Sequence, residues 1–194
     1  MADARARLMT PEAVFLPAAL DCHVALASPE AYRSALSFWS ETMPAEYGMR
    51  YEAVAEALGG CKHTIAIPSD ALHSGWVPWQ RIDFLDDATY RRMVPMVLPV
   101  TRPGTILGFA TAFDARLSDG VHIRTFPEDP ETHWLQGFNS FPNPIEAKAG
   151  DVVYMELDIA PATDPTIRFE MRIVSGSAAE VTAFVRQRAQ ALGV

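Results

Sequence analysis

The chain has 194 residues and a formal net charge of -8, from 16 Lys and Arg against 24 Asp and Glu, with 49% apolar side chains. This balance excludes a disordered or collagen-like chain and suits one globular domain with its own core, able to carry an inserted arm. The acidity also excludes a general nucleic-acid binder, which needs clustered Lys and Arg.

The first residues graze the pattern of a secretion signal, with an apolar stretch at 13–20 ahead of Ala25-Leu26-Ala27. Asp3 and Glu12 offset Arg5 and Arg7, however, Pro17 interrupts the run and Asp21 follows it. The longest stretch free of Asp, Glu, Lys and Arg is 132–145, rich in Pro and Asn, so no apolar run reaches the length of a membrane helix. Cys22 and Cys61 make neither a disulfide framework nor the paired spacing of a zinc site. The expectation is a mature cytoplasmic protein without a metal.

In chain order, Leu20, Cys22, Val24 and Leu26 alternate with Asp21, His23 and Ala25, which predicts a strand ended by Ser28-Pro29-Glu30. Tyr32, Ala35, Leu36 and Trp39, then Tyr51, Val54, Ala55 and Leu58, recur at helical spacing. Pro44-Ala45-Glu46-Tyr47-Gly48 lies between them, and Gly59-Gly60 makes a stop. Residues 31–60 therefore read as a helix–turn–helix pair inserted between strands.

Alternation resumes at His63, Ile65 and Ile67, and again at Ile82 and Phe84. From Tyr90 to Val100 it is interrupted by Pro95 and Pro99, which points to an edge strand or a bulge. Ser118-Asp119-Gly120 marks a hairpin between two further strands. Residues 135–141 are followed by Pro142-Asn143-Pro144. Val153, Met155 and Leu157 alternate after the Ala149-Gly150-Asp151 turn, and Ile167, Phe169, Met171 and Ile173 alternate with Arg168, Glu170 and Arg172. From Ser177 the period becomes helical, with Val181, Phe184, Val185 and Leu192 on one side. The whole reads as mainly β: an antiparallel barrel or sandwich of about eight to nine strands with a C-terminal helix at 177–194. That helix either caps an open barrel end or docks a partner.

The motifs of self-contained catalysis are missing. No glycine-rich strand-to-helix turn, phosphate loop, H-E-x-x-H or G-x-S-x-G occurs. His23, His63, His73, His122 and His133 are dispersed, so a metal site could arise only by folding. Asp86-Asp87 and Glu128-Asp129 sit in turn-like segments and read as solvated loop charge.

One segment says more. Asp129-Pro130-Glu131-Thr132-His133-Trp134-Leu135-Gln136 sets an imidazole beside an indole between a hairpin and a strand, and Lys148-Ala149-Gly150-Asp151 follows. Together with Leu8-Met9-Thr10-Pro11 at the entry and a helical pair carrying Trp39, Tyr47, Gly48, Met49 and Tyr51, this resembles the C-terminal β-barrel of the protein arginine methyltransferases over about residues 8–175. The resemblance implies that Thr132, His133 and Trp134 contact substrate, His133 by bridging to an acidic partner group and Trp134 as a wall of the arginine pocket. It also implies that Trp39, Tyr47, Met49 and Tyr51 form a partner interface like the family's dimerisation arm, giving a hetero- or homo-oligomer.

In that family the S-adenosylmethionine-binding Rossmann-like domain precedes the barrel, and two glutamates on a hairpin of that domain hold the guanidinium. Glu46, Glu52 and Glu56 fall in the arm and do not replace them. The expectation is the barrel subunit of a split arginine methyltransferase, not catalytic alone, working with a separate Rossmann-type subunit that binds S-adenosylmethionine and acting on an arginine-containing protein or peptide. The alternative is a non-catalytic peptide-binding or scaffolding barrel, in which His133 and Trp134 merely pin a loop.

Overall fold

The computed structural model describes residues 7–10, 12–59, 62–84, 93–159 and 169–192. Asp3, Arg5, Pro11, Gly60, Cys61, Asp86, Asp87, Tyr90, Ile167 and Arg168 lie outside the described residues, and only the backbone of Glu52, Ala55, Phe169, Glu170 and Leu192 is described. The strands run β1 (Ala19–Ala27), β2 (Lys62–Ile65), β3 (Val77–Asp83), β4 (Met93–Pro99), β5 (Gly104–Ser118), β6 (Val121–Arg124), β7 (Gln136–Ala147), β8 (Asp151–Ile159) and β9 (Phe169–Ser177). All observed pairings are antiparallel. They form one sheet in the order β2-β7-β5-β1-β3 with β6 on β5, and a second in the order β4-β8-β9.

Period-two patterning explains why these segments share a core. Val24, Leu26, Ile106, Phe109 and Phe141 of the larger sheet meet Val94, Met96, Leu98, Val153, Met155 and Leu157 of the smaller one. Burying each such side chain contributes about 1.5–3 kcal/mol, so this double layer dominates the stability. Strand number and direction match the barrel expectation, while among the described residues the ladders form two sheets instead of one closed ring. Bulges at Cys22/His23, Ile106/Gly108 and Arg116/Ser118 bend the larger sheet. At the second of these, a Cβ on Gly108 would collide with the Asn139 carbonyl, so the close approach of β5 and β7 requires glycine there.

Prolines behave as their chemistry demands. Pro95 and Pro99 lie on β4, which among the described residues pairs with β8 alone and so is an edge, their rings outward and Val94, Met96 and Leu98 inward. Strand β7 continues past the 135–141 segment and through Pro142-Asn143-Pro144. That stretch is exposed, and its pairing with β5 lapses between Ser140 and Ile145.

The arm departs from a simple helical pair. Helix α1 (Glu30–Ser37) passes through a π-helical turn (Phe38–Thr42) into α2 (Met43–Tyr47), and α3 (Glu52–Leu58) follows. Pro44 therefore does not break the chain direction. A proline clashes with the carbonyl four residues back, and the widened turn, in which the Met43 N–H reaches the Phe38 carbonyl, makes room for it. The reversal comes at Gly48, with φ of 64°. The root of the arm is anchored by Tyr32 and Leu36, which pack with Ile67, Leu107, Ala110 and Phe138 on the outer face of the larger sheet.

Helix α4 (Ala178–Leu192) starts at a capping box. Glu180 Oε2 accepts from the Ser177 N–H at 2.8 Å, and the Ser177 hydroxyl closes the turn. It covers the outer face of β8: Phe184 meets Tyr154 at 5.7 Å, and Arg188 Nε donates to Glu156 Oε1 at 3.1 Å. Both partners alternate with the inward Val153, Met155 and Leu157, so α4 covers a sheet face and not a barrel end.

Candidate functional site

The Thr132-His133-Trp134 loop connects β6 to β7, and both of its ends are tied. At the β6 end, Thr125 exchanges bonds with Phe113 of β5: its N–H donates to the Phe113 carbonyl at 3.1 Å, and its Oγ1 accepts the Phe113 N–H at 3.0 Å. Phe126 is buried, edge-on to His23 at 5.1 Å and to Trp76 at 5.3 Å. At the β7 end, the buried Gln136 carboxamide accepts the Ile67 N–H at 2.8 Å and donates to the Thr125 carbonyl at 2.6 Å. One side chain thus clamps the loop's exit to its entry.

Within the loop, Leu135 holds a left-handed φ of 50°, and its N–H donates to the Thr132 carbonyl at 3.1 Å. A leucine rarely adopts that conformation, so the anchored ends impose it. The turn presents His133 and Trp134 outward. Their ring centroids are 4.0 Å apart at 38°, Trp134 is 47% exposed, and its indole meets Phe113 at 6.3 Å. A half-exposed indole held between neighbouring rings can offer its free surface to a flat cation. The Thr132 hydroxyl is buried without a hydrogen-bond partner. Beside it lies a cleft of about 220 Å³, walled by Ile67, Pro68, Phe126, Asp129 and Leu135.

Other residues named from sequence fall elsewhere. Trp39 and Tyr51 meet at 5.7 Å, and the Tyr51 hydroxyl donates to Met49 Sδ at 3.3 Å, so the structure gathers these three on the arm. Tyr47 stands 60% exposed. The Lys148-Ala149-Gly150-Asp151 turn works in the fold. The Lys148 N–H donates to Asp151 Oδ2 at 2.8 Å, and the turn's backbone bonds Val100 beyond β4. Glu128 is solvated as expected, whereas the Asp129 side chain is only 16% exposed and accepts from Arg124 at 3.1 Å, so that residue is not solvated loop charge.

Phe113, Arg124 and Gln136 were not legible as site residues. The only trace is Gln136, a polar residue sharing its strand face with Phe138. The histidines occupy separate settings: His63 packs on Tyr32, His73 bonds Ser28 and Arg102, and His122 pairs with Asp114. Among the described residues no three metal-ligating side chains meet. The Cys22 thiol is pushed up to about 11, by burial first and Asp21 second, so it is not a nucleophile at neutral pH.

Residues 18–174 match the model of the arginine methyltransferase oligomerization subdomain. The chain belongs to that family. It is 23% identical over 154 residues to an arginine N(omega)-methyltransferase of Streptomyces achromogenes subsp. streptozoticus, covering 79% of this chain and 42% of that protein. Its fold is similar to that in the Trypanosoma brucei PRMT1 enzyme-prozyme heterotetrameric complex with AdoHcy, with a TM-score of 0.70, 17% identity, and coverage of 89% of this chain and 60% of that one. Arabidopsis thaliana protein arginine methyltransferase 10 gives a TM-score of 0.65 at 18% identity over 90% of this chain and 60% of that one. The barrel domain thus spans about two-fifths of the curated relative and three-fifths of these structures.

The described residues do not fit S-adenosylmethionine. Their sheets are wholly antiparallel, without the glycine-rich turn from a parallel strand into a helix that lets a backbone approach such a ligand. The roomier cleft, about 430 Å³ under the arm, is lined mostly by apolar groups of Tyr32, Leu36, Leu107, Phe141, Pro142 and Pro144, and Glu56 is the single charged side chain in that lining. No helix among the described residues is long and apolar enough to cross a membrane.

Proposed function

We propose that this chain is the barrel subunit of an arginine N-methyltransferase whose S-adenosylmethionine-binding part resides on a separate, Rossmann-type subunit. The observation that carries this reading is the exposed His133–Trp134 pair, held on a loop anchored at both ends in a chain of the arginine methyltransferase family.

The substrate's chemistry explains why such a wall is useful. A guanidinium stays protonated at any working pH, so it must be oriented by carboxylates and flat surfaces. The partner supplies the carboxylates, Trp134 lends its face, and His133 bridges to an acidic group of the partner. An aromatic face near a cation contributes about 0.5–2 kcal/mol, more as water is excluded. The net charge of -8 favours encounter with basic, arginine-containing proteins or peptides, chiefly through the on-rate. The arm, with Trp39, Tyr47, Met49 and Tyr51, forms the subunit interface.

The test mixes the purified chain with a co-encoded Rossmann-type methyltransferase and follows methyl transfer to an arginine peptide. Transfer should need both proteins, and His133→Ala or Trp134→Ala should reduce it while the two still co-purify. Full activity of the other protein alone favours the peptide-binding or scaffolding alternative.

A further inference from the structure

His133 and Trp134 must keep their places while facing solvent, and the loop's own backbone provides only two short turns: the Leu135 N–H to the Thr132 carbonyl, and the Asp129 N–H to the Phe126 carbonyl. We propose that Arg124, at the end of β6, is the positioning residue that holds this loop. Its guanidinium Nη1 donates to Asp129 Oδ1 at 3.1 Å, and its Nε lies 3.6 Å from Asp114 Oδ2. Its central carbon sits 5.0 Å from the centroid of the Phe126 ring. The other oxygen of Asp114 pairs with His122 Nδ1 at 2.6 Å. One planar cation thereby joins β5, β6 and the loop.

Exposed ion pairs contribute little on their own. This one differs in what its loss leaves behind. The Asp129 carboxylate is mostly buried, and its Oδ2 has no hydrogen-bond partner. Without Arg124 its Oδ1 also loses the guanidinium, and a mostly buried carboxylate without donors is costly to keep, which favours states in which the loop opens and hydrates it. A lysine would return a charge to Asp129 but has no planar, multi-donor head to reach both carboxylates while staying over the Phe126 ring.

The functional weight of this latch rests on the methyltransferase reading, whereas its mechanics can be measured on the chain alone. Hydrogen exchange of residues 125–136 and the near-ultraviolet circular dichroism of the stacked His133–Trp134 pair are compared in wild type, Arg124→Gln and Arg124→Lys. In Arg124→Gln the Asp129 and Leu135 amides should exchange roughly tenfold faster, the scale of a lost charged hydrogen bond. The dichroism should change with them, β8 should stay protected, and Arg124→Lys should recover part of both signals. Unchanged loop exchange in Arg124→Gln, or β8 loosening as much as the loop, overturns the proposal. In the reconstituted enzyme, Arg124→Gln should raise KM for the arginine peptide more than it lowers kcat, and unchanged kinetics with a loosened loop overturn the positioning role. If the wild-type mixture transfers no methyl group, the methyltransferase reading falls while the exchange result still decides the latch.

Discussion

His133 and Trp134 stand on the surface, so their replacement should separate function from folding. Each single alanine variant should unfold within about 0.5 kcal/mol of wild type. Methyl transfer by the reconstituted pair should fall about 2–30-fold for Trp134→Ala, the range of the lost cation contact. Gln136→Leu should do the opposite. It keeps the apolar volume but strands the Ile67 N–H and the Thr125 carbonyl, and should cost about 2–4 kcal/mol in urea unfolding. The contrast follows what the sequence displayed. An adjacent His-Trp pair is visible in one dimension, and so is a glutamine on an apolar strand face. The pairing of Arg124 with Asp129 is not, because two charges five residues apart meet only once the loop has closed. Phe113 reaches Trp134 only through the β5–β6 register.

At the scale of elements, alternation and prolines located the strands, and the change of period at Ser177 located α4. What escaped was the path around proline. Pro44, read as part of the turn between two helices, is carried through a π turn, while Pro142 and Pro144, just past the 135–141 segment, ride on an unpaired, exposed stretch of β7. Helix α4 carries a pH dependence of its own. Burial alone would raise the Glu156 carboxyl, but the bonds from Arg188 and Tyr154 and the nearby Arg172 outweigh it and hold the group below the usual carboxylate range. The same environment pushes Tyr154 up to about 12, by burial first and Glu156 second. A lowered carboxylate stabilises the fold at pH values above its unfolded pKa of about 4.3, and that contribution fades as pH falls through the lower folded value. Melting temperature should therefore drop more steeply below about pH 4 in wild type than in Glu156→Gln. Parallel curves would show that Glu156 does not couple α4 to acidity.

For the whole molecule, the two facing sheets share one core built from β1, β4, β5, β7 and β8, whereas the far end of the arm contributes no residue to either core cluster among the described residues. Phe38, Tyr47, Met49 and Tyr51 are all exposed there. Replacing both Met49 and Tyr51 with glutamate should convert an oligomer to a monomer in sedimentation velocity without lowering the melting temperature of the sheets. An unchanged sedimentation coefficient would place the interface elsewhere. The central claim is that this chain furnishes a surface for the guanidinium while the methyl donor binds on another subunit. Equilibrium dialysis of radiolabelled S-adenosylmethionine against the chain, its partner and their mixture tests this most directly. The account predicts uptake by the partner and the mixture and none by this chain, and saturable binding to the chain by itself would contradict it.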